Sequence, residues 1–342
     1  MKYLNFVASA AIALAAPSHV AAQTLMLEDP AISADRLAFV YAGDIWVANR
    51  DGSAPRRLTS DPAGEYSPLF SPDGSHIAYV ADYDGNDDVY VLPTAGGQAR
   101  RLTWHPGDDV PTGWTADGSG ITFVSTRETD HGRSGQMYVA SLAGGLPHKQ
   151  MEARVYRGVY DADGSHLAYI PFGSGYNGLF RGTSGWRGYR GGTSPAVHLF
   201  DVSAETVTVV PGGEATNFNP VWLGEQLYFI SDREQAQFNI FHYDPGTGDL
   251  RRVSNETTWD VQSAAGHGAT LVYAAGGRLM ELDPASGTST EIRISIRPDL
   301  PELRRQWKDA SKTVQAADIS PTGKRAIVTA RGEVFTVPVE DG

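Results

Sequence analysis

Residues 66–91 read YSPLFSPDGSHIAYVADYDGNDDVYV, and variants of this sentence return along the chain. An apolar pattern punctuated by turns and recurring about every 40 residues is the signature of a β-propeller, whose repeats are four-stranded blades that cannot bury both faces alone. Aligned on their second strands, the repeats read LAFV at 37–40, IAYV at 77–80, ITFV at 121–124, LAYI at 167–170, LYFI at 227–230, LVYA at 271–274 and AIVT at 326–329. Successive steps are 40, 44, 46, 60, 44 and 55 residues, so six units are complete and a seventh is short. The expectation is an all-β fold: a six-bladed β-propeller of four-stranded antiparallel blades over 23–296, a linker over 297–313, and the first hairpin of a second, truncated propeller over 314–342.

Turn chemistry supports the same division. Ser71-Pro72-Asp73-Gly74, Thr115-Ala116-Asp117-Gly118, Asp161-Ala162-Asp163-Gly164 and Ser320-Pro321-Thr322-Gly323 each separate a short first strand from the apolar second. Asp-Gly and Thr-Gly supply the positive φ of two-residue hairpins. Third strands are read at 44–48, 88–92, 136–140, 197–201, 239–243 and 278–282, and fourth strands at 56–59, 100–103, 250–254 and 291–295. Apolar residues on both faces of these strands fit sheets stacked between neighbours.

Composition narrows the function classes. The net charge is −12 and no basic cluster larger than an Arg-Arg pair, most of them inside fourth strands, stands out, so nucleic acid, which needs a positive stripe, is excluded as a partner. Residues 1–22 carry Lys2, an apolar run over 6–16 and small residues Val20, Ala21 and Ala22, the pattern of a cleavable secretory leader too short to span a bilayer. An exported, periplasmic protein without a membrane span is expected. With no cysteine, neither a disulfide nor a thiolate nucleophile or metal ligand is available.

No assembled active site is legible. Gly182-Thr183-Ser184-Gly185 and Gly132-Arg133-Ser134-Gly135 miss the Gly-x-Ser-x-Gly spacing of a nucleophile elbow, and no His-Glu-x-x-His or phosphate loop occurs. The histidines are dispersed; His76 and His166 share one repeat position after Asp-Gly-Ser, where a side chain is solvated. Residues 82–88, DYDGNDD, are rich in carboxylates, but their spacing is not that of an EF-hand and Asp-Gly-Asn is a hairpin turn. No catalytic residue, metal or cofactor is expected.

The longest step comes from an insertion, residues 171–195, PFGSGYNGLFRGTSGWRGYRGGTSP. Long irregular loops inside compact domains are usually functional. This one sets Arg181, Arg187 and Arg190 beside Trp186 and Tyr189, a combination suited to a carboxylate or peptide contact, or to capping a blade of an acidic protein.

The stretch 59–127, the run Tyr189-Arg190-Gly191-Gly192-Thr193 leading into 196–201, and SPTGKRAIVTARGEVFTVPVEDG at 320–342 resemble the N-terminal propeller of tricorn-type serine proteases, of the tail-specific protease class. The resemblance implies a six-bladed propeller followed by a second propeller, a PDZ-like module and a peptidase domain, with the catalytic serine and histidine beyond the two propellers and not expected in this sequence. It implies peptides as partners, a channel role that guides or filters them, and a possible homo-oligomer. Basic residues of the family's first propeller are held to anchor a peptide carboxylate; Arg127 and Arg133, in the third-blade loop TRETDHGRS, are the candidates, although no adjacent arginine pair occurs there. The rival reading is a propeller similar to TolB, acting as a protein–protein interaction module. A prolyl oligopeptidase-like propeller would need strand–helix alternation at one end, and neither end shows it.

Overall fold

In the computed structural model, residues 23–129, 134–173, 186–192, 194–212, 214–234, 237–297, 305, 307 and 309–340 are described. Among them regular structure is strand, apart from one 3-10 turn at Ser311–Thr313. The chain divides into two compact units, residues 1–296 and 297–342. Residues 1–22, with the expected leader, lie outside the described part.

The first unit holds six four-stranded antiparallel sheets among its described residues, each built from strands consecutive in sequence. Their first strands are Glu28–Ile32, Glu65–Phe70, Asp109–Trp114, Arg157–Tyr160, Asn217–Leu223 and Val261–His267. Each first strand touches the next, and the sixth touches the first, so the sheets are blades around a common axis. We number them 1 to 6 in chain order.

The four-letter apolar runs become second strands because both of their faces are covered. In blade 2, Tyr79 and Ala81 pack with Val40 and Ile45 of blade 1, while Ala78 packs with Ile121 and Phe123 of blade 3. Phe39, Trp46, Val272, Leu279 and Ile292 join blades 1 and 6 in the same manner. Among the described residues no strand is exchanged across that seam. Backbone bonds from Thr24 N to Ile294 O (2.8 Å) and Leu27 N to Gly277 O (3.0 Å) tie the entering chain to blade 6. Gly52, at φ +83°, lets the blade 1 turn press there: a Cβ would stand 2.7 Å from the Arg293 carbonyl oxygen.

Two expectations need correction. The Asp-Gly turns are not two-residue hairpins: Ser71 N bonds to His76 O (2.9 Å), and Gly74 N to Ser71 O (2.8 Å), enclosing the four residues 72–75. Only Gly74 has positive φ, +71°, and Asp73 closes the loop by accepting from Ser75 N at 3.0 Å. The fourth strands are also shorter than read, Arg56–Arg57 and Arg100–Arg101 in blades 1 and 2. Beyond them the backbone still donates to the third strand, Leu58 N to Ile45 O and Leu102 N to Val89 O (both 2.8 Å), while a hydroxyl takes the third strand's own N–H: Ile45 N donates to Thr59 Oγ1 (2.8 Å), Val89 N to Thr103 Oγ1 (3.0 Å) and, in blade 5, Ile240 N to Ser254 Oγ (2.8 Å).

The second unit is a sequential three-stranded sheet, Val314–Ile319, Arg325–Ala330 and Glu333–Pro338, one strand more than the expected hairpin. Ile319, Ile327, Val334, Phe335 and Val337 are all exposed on it.

Candidate functional site

The first and second strands of blades 3 and 5 form a repeated corner that accounts for Arg127. Its guanidinium lies over the rings of Phe123 (5.3 Å) and Tyr138 (4.7 Å). Nε donates to Ser125 Oγ at 2.9 Å and Nη2 to Asp109 Oδ2 at 2.7 Å. Blade 5 repeats the arrangement: Arg233 lies between Phe229 and Phe241 and donates to Ser231 Oγ (3.1 Å) and Asn217 Oδ1 (2.9 Å). A guanidinium held between two rings and by two acceptors is a cross-link of its own blade. Burial raises the pKa of Asp109, with Ser125 and Arg127 opposing, and burial brings Arg233 down to about 10, opposed by Asp232 and Glu234.

Blade 2 keeps the acid and loses the cation. Glu65 is buried, and Tyr83 occupies the place of the arginine, donating to Glu65 Oε1 at 2.8 Å and meeting Tyr90 edge-on. Thr59 donates to Oε2 at 3.0 Å. Burial pushes the Glu65 carboxyl up to about 7; the bonds from Tyr83 and Thr59 pull it down, and Asp44 and Asp61 push it further up.

The insertion arginines reach across blades. Arg187 grips Asp260 with both Nε (2.8 Å) and Nη2 (2.9 Å), and Asp260 also accepts from Phe238 N. Arg190 donates from Nη1 to Asp232 Oδ2 (2.7 Å) and from Nη2 to the Asp232 carbonyl (3.0 Å). Thus the chain inserted in blade 4 is tied to residues that follow blade 5's second strand and precede blade 6. Trp186, 69% exposed, sits 6.2 Å from the Tyr189 ring, leaving an aromatic surface beside these tethers. Arg133 and Arg181 lie outside the described residues.

The 82–88 segment is also occupied by its own chain, since Arg101 bonds to Asp84 and, at 2.5 Å, to Asp88. Ser165 and Asp161 both contact His166, at 2.9 Å, but both meet Nδ1, while Nε2 lies 3.9 Å from Asp201. A serine relay needs the acid on one ring nitrogen and the nucleophile on the other. Among the described residues no helix is long and apolar enough to cross a membrane.

The sequence implies a channel but names none of the residues that line it. A cavity of about 280 Å³ is lined by all six first strands, including Ile32, Phe70, Trp114, Arg157, Trp222 and Ala265. Arg157 pairs with Ile170 where Tyr66, Val110 and Phe218 pair with Val80, Val124 and Ile230. A charge at an apolar position of the repeat was the available signal. Blade 4 is also the blade whose first strand has no register shift; in the other five a bulge interrupts the pairing of first and second strands.

Comparison with known proteins fits this architecture. Tricorn protease homolog 1 of Streptomyces coelicolor is 30% identical over 309 residues, covering 90% of this chain and 28% of its own length. A crystal structure of the tricorn protease superposes with a TM-score of 0.74 at 20% identity, over 93% of this chain and 31% of that one. A protein described as TolB from Agrobacterium tumefaciens superposes at 0.54 with 16% identity, covering 74% of this chain and 83% of that one, a likeness of fold alone. This chain therefore spans less than a third of the tricorn relatives it matches. The profile of the tricorn protease N-terminal beta propeller domain matches residues 24–288, and the chain belongs to that family.

Proposed function

We propose that the six-bladed ring is the peptide-guiding portion of a tricorn-type serine protease, passing or selecting extended peptides for a peptidase domain carried elsewhere in such proteins. The observation that carries this reading is the axial cavity, to which every blade contributes its first strand, in a chain of the tricorn propeller family. A narrow axial path admits an extended chain and rejects a folded one without any nucleophile. On this reading the three-stranded sheet after residue 313, with apolar side chains exposed, is the opening part of the next propeller, and the partners are the rest of that propeller, PDZ-like and peptidase domains, and further copies of the chain. Export to the periplasm, from the character of residues 1–22, belongs to the same proposal.

Two measurements test it. Fluorescence anisotropy of a labelled, unstructured peptide should report saturable binding to the ring, while the same sequence locked inside a folded carrier should not bind; equal binding of both removes the conduit. The chain by itself should show no peptide hydrolysis above background. Turnover that disappears on substituting one of its own serines or histidines, Ser165 and His166 being the first to try, would assign chemistry to this ring instead.

A further inference from the structure

One register position runs round the whole axis. In each blade, the first-strand residue that pairs with the first letter of the four-residue apolar run is Ile32, Phe70, Trp114, Tyr160, Trp222 or Gly266, in blade order. All six line the axial cavity. Four consecutive blades, 2 to 5, therefore end or nearly end their first strand on an aromatic ring, and each of these rings is only half-buried. Blade 6 has no room for one: a Cβ on Gly266 would stand 2.5 Å from Leu223 Cδ2, so blade 5 fills that sector.

The collar offers hydrocarbon to the cavity. Trp114 Nε1 donates to Leu69 O of blade 2 and Trp222 Nε1 to Val159 O of blade 4, both at 3.1 Å. Each indole is thus fixed to the preceding blade, one residue ahead of that blade's own ring, with its polar atom spent. The amide of Asn219, also on the wall, is spent as well, donating to Ala264 O (2.8 Å) and accepting from Ala264 N (3.2 Å). Tyr160 stays an uncharged phenol, because burial raises its pKa. Among the described residues the one charged member of the wall is Arg157, a cation that repels a basic side chain and not an uncharged one. Rings already held by their neighbours lose little freedom when a ligand packs on them.

We propose that this collar is an aromatic clamp: Phe70, Trp114, Tyr160 and Trp222 receive an aromatic or large aliphatic side chain and discriminate against a basic one. An extended peptide is held by such a side chain, and in that form the inference rests on the conduit reading. A free aromatic amide has the same chemistry. Taking a phenyl group out of water onto fixed rings separates it from a methyl group by about tenfold or more.

Calorimetry on the intact chain tests this with capped probes that carry no terminal charge. They are acetyl-Ala-Ala-Phe-Ala-Ala-amide, the same peptide with Ala or Lys in place of Phe, and N-acetylphenylalaninamide. The Phe peptide should bind at least about tenfold tighter than the Ala peptide, and the Lys peptide no tighter than the Ala peptide. Trp114→Ala with Trp222→Ala should bring the Phe-to-Ala ratio below about threefold, and Trp114→Phe with Trp222→Phe should keep most of it. The contrast in the native chain needs no variant, so a substitution that fails to fold leaves the test intact. Equal binding of the three peptides overturns the clamp and leaves a peptide conduit standing. A Lys peptide that binds as tightly as the Phe peptide overturns it too, since the rings would then be holding cations. Binding of N-acetylphenylalaninamide without the peptides keeps the clamp and removes the conduit. Absence of binding by every probe overturns the clamp, as does a Phe preference that survives the loss of both indoles.

Discussion

Blades 2 and 3 solve one corner in opposite ways. Both start their first strand with a buried acid, Glu65 or Asp109, and both receive a threonine from the preceding blade's last turn, Thr59 or Thr103. Blade 3 then adds Arg127 between two rings, whereas blade 2 substitutes Tyr83, which donates a hydrogen bond but carries no charge. A phenol can satisfy a carboxylate's lone pair; it cannot offset the loss of hydration of a full charge. The difference teaches that the position requires a filled polar socket, and that the charge state of the socket is free to vary from blade to blade. Blade 5 gives the complementary variant, with Arg233 on the neutral Asn217.

The sharpest way to break the comparison is to make blade 3 resemble blade 2 by removing the cation. Arg127→Leu leaves Asp109, which has no exposed surface, without its ion-pair partner. The expected loss is about 3–5 kcal/mol in urea unfolding at neutral pH. Asp109→Asn, which copies the blade 5 pair, should cost only about 1 kcal/mol. If both substitutions cost the same, the corner is held by packing of Arg127 on its rings and the charge is incidental.

Blade 2 gives the next effect, and it has a pH signature. The folded pKa of Glu65, about 7, lies above its ordinary value of 4.5, so folding favours the protonated acid. Its contribution is therefore fully present below about pH 4.5, declines as pH rises toward 7 and is gone above it; the loss is at most about 3 kcal/mol. Glu65→Gln keeps an acceptor for Tyr83 and removes the charge. The variant should match the native chain near pH 4.5 and be more stable by up to that amount near pH 8, read as the difference of their unfolding free energies. A variant no more stable than the native chain at pH 8 would mean that Glu65 titrates as an exposed acid does.

Much of this was legible from the chain, and the limits are physical. Four-residue apolar runs such as IAYV specify second strands because a blade is covered on both sides, and the repeated Asp-Gly fixes where each turn falls. A repeat also hides what it does not vary. Thr59, Thr103 and Ser254 look like ordinary strand residues, yet in each the hydroxyl accepts the third strand's N–H. Arg127 reads from the sequence as a candidate carboxylate anchor and Arg233 carries no local signal, yet both stack on rings, at 123 and 138 and at 229 and 241, as blade cross-links. The partners of Arg187 and Arg190 lie 73 and 42 residues away, beyond any local pattern. Arg157 was visible as a charge in an apolar register, but only the ring shows that its side chain lines the axial cavity.

The smallest effects concern the insertion, and they sharpen the contrast between a charge held in a corner and one held at the surface. Arg190 serves Asp232, whose side chain is 3% exposed and which also accepts from Thr216 N, so Arg190→Gln should cost about 1–2 kcal/mol. Arg187 is 49% exposed and its pair with Asp260 is open to solvent screening, so Arg187→Gln should cost less than about 1 kcal/mol and less still in high salt. Charge reversal at both sites separates tether from ligand contact. If they are tethers, Arg187→Glu with Arg190→Glu lowers the unfolding midpoint and leaves the peptide affinity of the folded fraction unchanged. Weaker peptide binding at an unchanged midpoint would instead put the ligand on the insertion, beside Trp186 and Tyr189, and would shift the argument from the axis of the ring to its edge.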